Sequence, residues 1–234
     1  MRASQFLLAT ASVAALSAGV ALAAGLPIAS VSGDTGSFPI RSGAKILYDQ
    51  NSNDAGYRII AQNLTSGYTT GAYWNQAADD FVVPKGHIWR IRRVDVTGWY
   101  FSDGSRPAKS AGPATSESVV FYRNNKGTPG AIVRNGAFIS LHGTESNGSF
   151  AIALPRNGLR LQAGTYWVSV VINMSFVQGG FWGWEVNSVR HGHEAVWQNE
   201  GDGFGTGCTT WETLENCWHV GPDFMFDLSG KIVE

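Results

Sequence analysis

At 234 residues, with 44% hydrophobic and 15% charged side chains, the chain can bury a sizeable core and fits one large all-β domain or two very small ones. A net charge of −1 and a pI near 6.5 leave no basic footprint for nucleic acid and no polybasic attraction to a membrane surface. The 29 glycines and nine tryptophans point to many turns and a heavy aromatic load.

The first segment, residues 1–23, reads as a signal peptide. Arg2 supplies the positive start, Phe6 to Leu22 is apolar, and Ala21-Leu22-Ala23 is a small-residue cleavage site before Ala24. The apolar run is short for a membrane span. Cleavage removes Arg2 and no acid, taking the net charge from −1 to −2. No cysteine follows the run, so a lipid anchor is not expected, and the mature chain is expected to be secreted or periplasmic. Residues 24–43 read as a flexible leader rich in Gly, Ser, Ala and Pro. The remainder, 44–234, reads as one β-sandwich domain.

Lys45 to Asp49 is the first strand, and Tyr57 to Gln62 the second, with the turn cluster N-S-N-D-A-G between them. Ala77 to Val83 follows and ends at Pro84, which has no N–H to give a ladder. From His87 to Tyr100 the parity breaks: Trp89 and Ile91 share one phase, Val94 and Val96 the other. One extra residue near Arg92-Arg93 restores both pairs to the core, which predicts a β-bulge. Ser102 to Ser116 reads as a polar loop. Glu117 to Tyr122 is apolar on both faces, as an interior strand requires. Turn chemistry follows at 124–130, and Asn147-Gly148 predicts a tight hairpin before the alternating Phe150, Ile152 and Leu154.

Leu161 to Glu185 organises the rest. Tyr166, Val168, Val170 and Ile172 fall on one side of a strand, Trp167, Ser169, Val171 and Asn173 on the other. Leu161-x-Ala163-Gly164-Thr165-Tyr166 has the form of a tyrosine corner, in which the phenol bonds nearby backbone. Phe224, Phe226 and Leu228 face inward from a closing strand. About ten short strands, no amphipathic helix and no repeat make an all-β antiparallel sandwich of jelly-roll type, with helix content close to nil. Cys208 and Cys217 are expected to pair in an oxidising compartment, worth on the order of 3 kcal/mol. A redox pair would call for C-x-x-C, which this spacing is not.

The segments A-A-D-D-F-V-V-P (77–84), W-R-I-R-R-V-D-V-T-G (89–98), V-V-F-Y-R-N-N-K-G-T-P-G (119–130) and A-G-T-Y-W-V-S-V (163–170) resemble an extracellular module of bacterial secreted proteins. So do W-G-W-E (182–185), the stretch 197–211 and G-P-D-F-M-F-D-L-S-G (221–230). The resemblance spans most of residues 45–230. That module has no assigned activity and recurs in exported bacterial proteins, sometimes beside proteases or adhesion-type domains. The resemblance therefore implies secretion and a sandwich, and brings no catalytic residues with it.

Four constellations carry chemistry. Trp182 and Trp184 share a strand face, and Trp197, Trp211 and Trp218 lie in the later loops; indoles stack on sugar rings, or else fill a core. Asp49, Asp79, Asp80 and Asp227 offer hard oxygen ligands for a structural calcium ion, although adjacent aspartates on a strand face opposite ways. His191-Gly192-His193 is the start of a transition-metal site, with His219 as a distant third ligand; the bland alternative is a surface loop. Glu185, Glu194, Asp202, Glu212 and Asp223 are the pool from which a glycosidase pair would come, roughly 5–10 Å apart. No G-x-S-x-G occurs, and the sequons at Asn63, Asn147 and Asn173 carry no weight if the source is bacterial.

The leading expectation is a secreted, non-catalytic module that binds a glycan or a cell-surface macromolecule, with no cofactor beyond calcium. A small polysaccharide hydrolase is the runner-up. A structural envelope or matrix protein is the third reading.

Overall fold

The computed structural model describes residues 44–67, 71–101, 113–155 and 157–233. The signal peptide, the leader and residues 102–112 of the loop expected at 102–116 lie outside these, and the end of that loop is corrected, since Ala114 to Ser116 already belong to a strand. In chain order the strands begin with β1 (Lys45–Asp49), β2 (Asp54–Ile60), β3 (Gln62–Leu64) and β4 (Gln76–Val83). Next come β5 (Ile88–Val96), β6 (Gly98–Phe101), β7 (Ala114–Asn125), β8 (Thr128–Leu141) and β9 (Thr144–Ser146). Then β10 (Ser149–Ala153), β11 (Leu159–Leu161), β12 (Gly164–Met174) and β13 (Phe181–Asn187) follow. The last four are β14 (Val196–Gln198), β15 (Glu212–Thr213), β16 (Asp223–Phe224) and β17 (Phe226–Val233). Helix is limited to a 3-10 turn at Gly71–Tyr73 and to two short helices, α1 (Phe176–Gly179) and α2 (Leu214–Trp218). The expected near-absence of helix holds apart from these.

The strands form an all-β sandwich. One sheet runs β15-β14-β4-β12-β7-β8, with the parallel β3 added beside β12. The facing layer holds a sheet in the order β1-β17-β5-β10-β9, with β11 also on β5, and a smaller sheet of β16, β13, β2 and β6. β12 lies between β4 and β7 and is covered on both faces, as its unbroken apolar run requires. Val168, Val170 and Ile172 pack inward with Phe81, Val119 and Phe121, against Ile91, Val94, Val96, Phe150, Ile152, Phe226 and Leu228. On its other face Trp167 joins Ala78, Val120, Tyr122 and Val196 in a second apolar cluster, partly covered by Trp211.

The bulge expected near Arg92-Arg93 is present. Arg93 pairs with Ser229 and Ile91 with Gly230, so Arg92 is the extra residue. Trp89, Ile91, Val94 and Val96 all reach the core as a result. The Asn147-Gly148 turn has φ of 49° and 87°, the doubly positive geometry of a two-residue hairpin. The tyrosine corner is corrected: Tyr166 stacks on Phe81, with ring centroids 6.0 Å apart, and its hydroxyl bonds no described residue. Cys208 and Cys217 form the expected disulfide, with Cα atoms 5.9 Å apart.

Candidate functional site

A groove of about 350 Å³ lies on the outer face of the sheet centred on β12. Its floor follows from strand alternation. Ser118 and Val120 project from β7, and Val171 and Asn173 from β12, each on the face opposite the core residues next to it. The walls come from Asn63 of β3, from Trp74 and Asn75 before β4, and from Ile139, Gln198 and Glu200.

Trp74 is 56% exposed, while four other tryptophans are completely buried. It follows the 3-10 turn Gly71–Tyr73, whose Gly71 carbonyl accepts the Trp74 N–H. Asn199 fixes the same turn by donating to the carbonyls of Ala72 and Trp74, at 2.6 and 2.7 Å. The Trp74 backbone is therefore fixed at the groove on both sides, by the Gly71 carbonyl and by the Asn199 side chain. Around it the amides hold one another. Asn63 Nδ2 donates to Asn173 Oδ1 at 2.9 Å, and Gln198 Nε2 donates to Gln76 Oε1 at 3.1 Å. Gln198 Oε1 and Gln76 Nε2 keep no partner among the described residues, leaving one acceptor and one donor for a ligand.

A second constellation is buried and differs in character. Asp79 faces into the sandwich and accepts from Gln50 Nε2 at 2.6 Å and from the Phe224 N–H at 2.7 Å. Burial, and then the Asp223 carboxylate, push its pKa well above the usual carboxylate range. Asp80, on the opposite face, grips His193 twice, through the backbone N–H at 3.0 Å and through ring Nδ1 at 2.9 Å. Asp223 accepts the His191 N–H, and its pKa is raised by burial to about 6. These acids tie β4 to β16 and fasten the His191–His193 loop. They serve as internal hydrogen-bond acceptors beneath that loop.

The chain matches no protein family, no curated protein and no solved structure.

Several expectations about site residues are corrected. Trp182, Trp184 and Trp197 have 0% exposure. Their indole N–H groups donate to the carbonyls of Gly148, Met225 and Ile60, so all three are core residues with no face for a ligand. Trp218 packs on Trp197 with centroids 5.0 Å apart, and Trp211 sits edge-on to Tyr122 at 6.0 Å; both are half-buried and neither lines the groove. The expected calcium set is split. Asp49 and Asp227 are cross-strand neighbours, whereas Asp79 and Asp80 belong to the buried cluster on β4. His219 ends α2 in a left-handed conformation, away from any role shown for His191 and His193. Among the described residues, no three His, Cys, Asp or Glu side chains converge on a point as a metal ion would require.

The acids of the glycosidase pool are engaged in internal contacts. Glu185 pairs with Arg58 at 3.1 Å, Glu194 accepts the Glu215 N–H, Asp202 accepts the Gly207 N–H and Glu212 accepts from Asn216. The residue that reading the sequence missed is Trp74. Its signal was present: an aromatic in the Gly- and Thr-rich stretch T-S-G-Y-T-T-G-A-Y-W-N-Q, with no apolar alternation to draw it inward.

Proposed function

We propose that this chain is an exported glycan-binding module that takes a short sugar segment in the groove under Trp74. It would be of the bacterial extracellular kind that its motifs resemble. The observation that carries the reading is an exposed, backbone-anchored indole at the rim of a half-open groove lined by amides. Flat apolar faces take the C–H side of a pyranose, and amides exchange hydrogen bonds with its hydroxyls. Among the described residues no helix is long and apolar enough to cross a membrane, and the disulfide accords with an oxidising compartment. Polysaccharide hydrolysis finds no support from the five acids considered for it, since each is engaged in a hydrogen bond or ion pair within the protein.

The test is a glycan-array screen of the mature protein, followed by calorimetry on the best oligosaccharide. Trp74→Ala is expected to weaken binding at least about tenfold, near 1.4 kcal/mol, with an unchanged melting temperature. Trp211→Ala should leave affinity within about twofold. Trp197→Ala is no control, because deleting a fully buried indole costs about 3–5 kcal/mol of fold stability. Equal affinity in Trp74→Ala and the parent protein would remove the proposal.

A further inference from the structure

Across β1, β17 and β5 three aspartates stand in one row. Asp49 pairs with Asp227, and Asp227 with Asp95. Their chain neighbours Phe226, Leu228, Val94 and Val96 are in the core, so the aspartates project from the opposite face of the sheet. That face would ordinarily be wet. Yet Asp95 is 3% exposed and Asp227 is 8% exposed. One oxygen of each, Oδ1, is buried without a partner among the described residues. Buried carboxylate oxygens are rarely left unpaired, since the desolvation they suffer is then uncompensated.

We propose that Asp49, Asp95 and Asp227 bind a divalent cation of the calcium class on the outer face of this sheet. Charge balance favours it. Arg93 pairs with Asp95 Oδ2. One guanidinium against three carboxylates leaves two negative charges, which a divalent ion cancels. Donor chemistry selects the ion: every donor is a carboxylate oxygen, with no thiolate or imidazole in the row. Geometry then separates calcium from magnesium. Calcium takes six to eight oxygens in a flexible arrangement at about 2.4 Å, whereas magnesium demands a near-ideal octahedron at about 2.1 Å, which three carboxylates in a row across strands do not preset. As they stand the carboxylates do not converge on one point. Asp49 Oδ1 accepts the Asn51 N–H at 2.9 Å, and ion binding draws this exposed side chain toward Asp227.

The competing occupant is a proton shared between Asp95 and Asp227, and thermal melts distinguish the two. For the mature protein at pH 8, calcium is expected to raise the midpoint over EGTA in a saturable manner, with magnesium giving less than half the shift. At pH 5 the calcium shift should shrink, because protons compete for the same oxygens. Asp227→Asn should abolish the shift. Should that variant not fold, Asp49→Asn keeps the buried pair and should weaken calcium affinity at least about tenfold. Asp80→Asn, in the other acidic cluster, should keep the full shift. An unchanged midpoint at pH 8 overturns the proposal in favour of the shared proton, and equal shifts from calcium and magnesium overturn the assignment to the calcium class. A shift surviving in Asp49→Asn and Asp227→Asn places any ion elsewhere and overturns it too.

Discussion

Gly192 shows how one residue sets the local design. Its φ is +143°, and a Cβ built there would lie 2.5 Å from Asp80 Oδ1. The two flanking histidines can both be fastened to carboxylates only because nothing projects between them. Gly192→Ala is expected to cost about 1–3 kcal/mol, read as a lower midpoint in chemical denaturation, while glycan affinity stays unchanged. The contrast between Trp74 and Trp197 belongs to the same scale. Both are tryptophans followed by an amide, Asn75 or Gln198. One lies at a turn held outside the sheet, the other on a strand phase that points inward. The chemistry of the side chain is identical; its use is decided by which way the backbone turns it.

At the level of elements, the bulge in β5 depends on its partner strand. Where Arg92 is extra, the facing Gly230 of β17 lies so close that a Cβ would come within 2.0 Å of the Arg90 carbonyl oxygen. The carbonyl is backbone and cannot turn aside. Gly230→Ala should therefore destabilise by at least about 2 kcal/mol, checked by urea denaturation. The bulge itself was legible from parity, because a one-residue slip would send Val94 and Val96 to solvent. Its glycine partner was not, since 129 residues separate the two strands and nothing local marks Gly230 as lying opposite Arg92. The groove belongs to this scale as well. β3, β4, β7, β8, β12 and β14, with the turn before β4, each contribute at least one residue to it, and no single element would suggest a binding surface.

For the whole molecule, the raised carboxylates fix how stability depends on pH. Asp223 stands at about 6 and Asp227 at about 7, both above the unfolded value near 4. A raised pKa means that the folded state holds protons which the unfolded chain has released. Its stabilising contribution is complete below about pH 4 and is lost as pH rises through about 6 to 7. Without divalent ions, melting temperature is thus expected to fall between pH 4 and pH 7.5. Calcium should flatten the upper part of that fall, through the Asp49–Asp227–Asp95 row alone. Asp227→Asn should flatten it without calcium, since that side chain no longer titrates. A midpoint that climbs steadily from pH 4 to 7.5 would contradict the assignment.

The sequence by itself determined the class of fold, the central strand, the bulge, the hairpin at Asn147-Gly148 and the pairing of the cysteines. These follow from period-two burial, turn chemistry and the count of two thiols, all of which act over short stretches of chain or need no positional information. Tertiary structure decided which tryptophans are core and which is surface, and it separated the aspartates into two groups, Asp79–Asp80–Asp223 and Asp49–Asp95–Asp227. Alternation says that a side chain faces one side of a strand. Only the packing of strands far apart in the chain says what lies on that side, and that determines whether an indole meets sugar or core, and whether an acid meets a histidine or another acid.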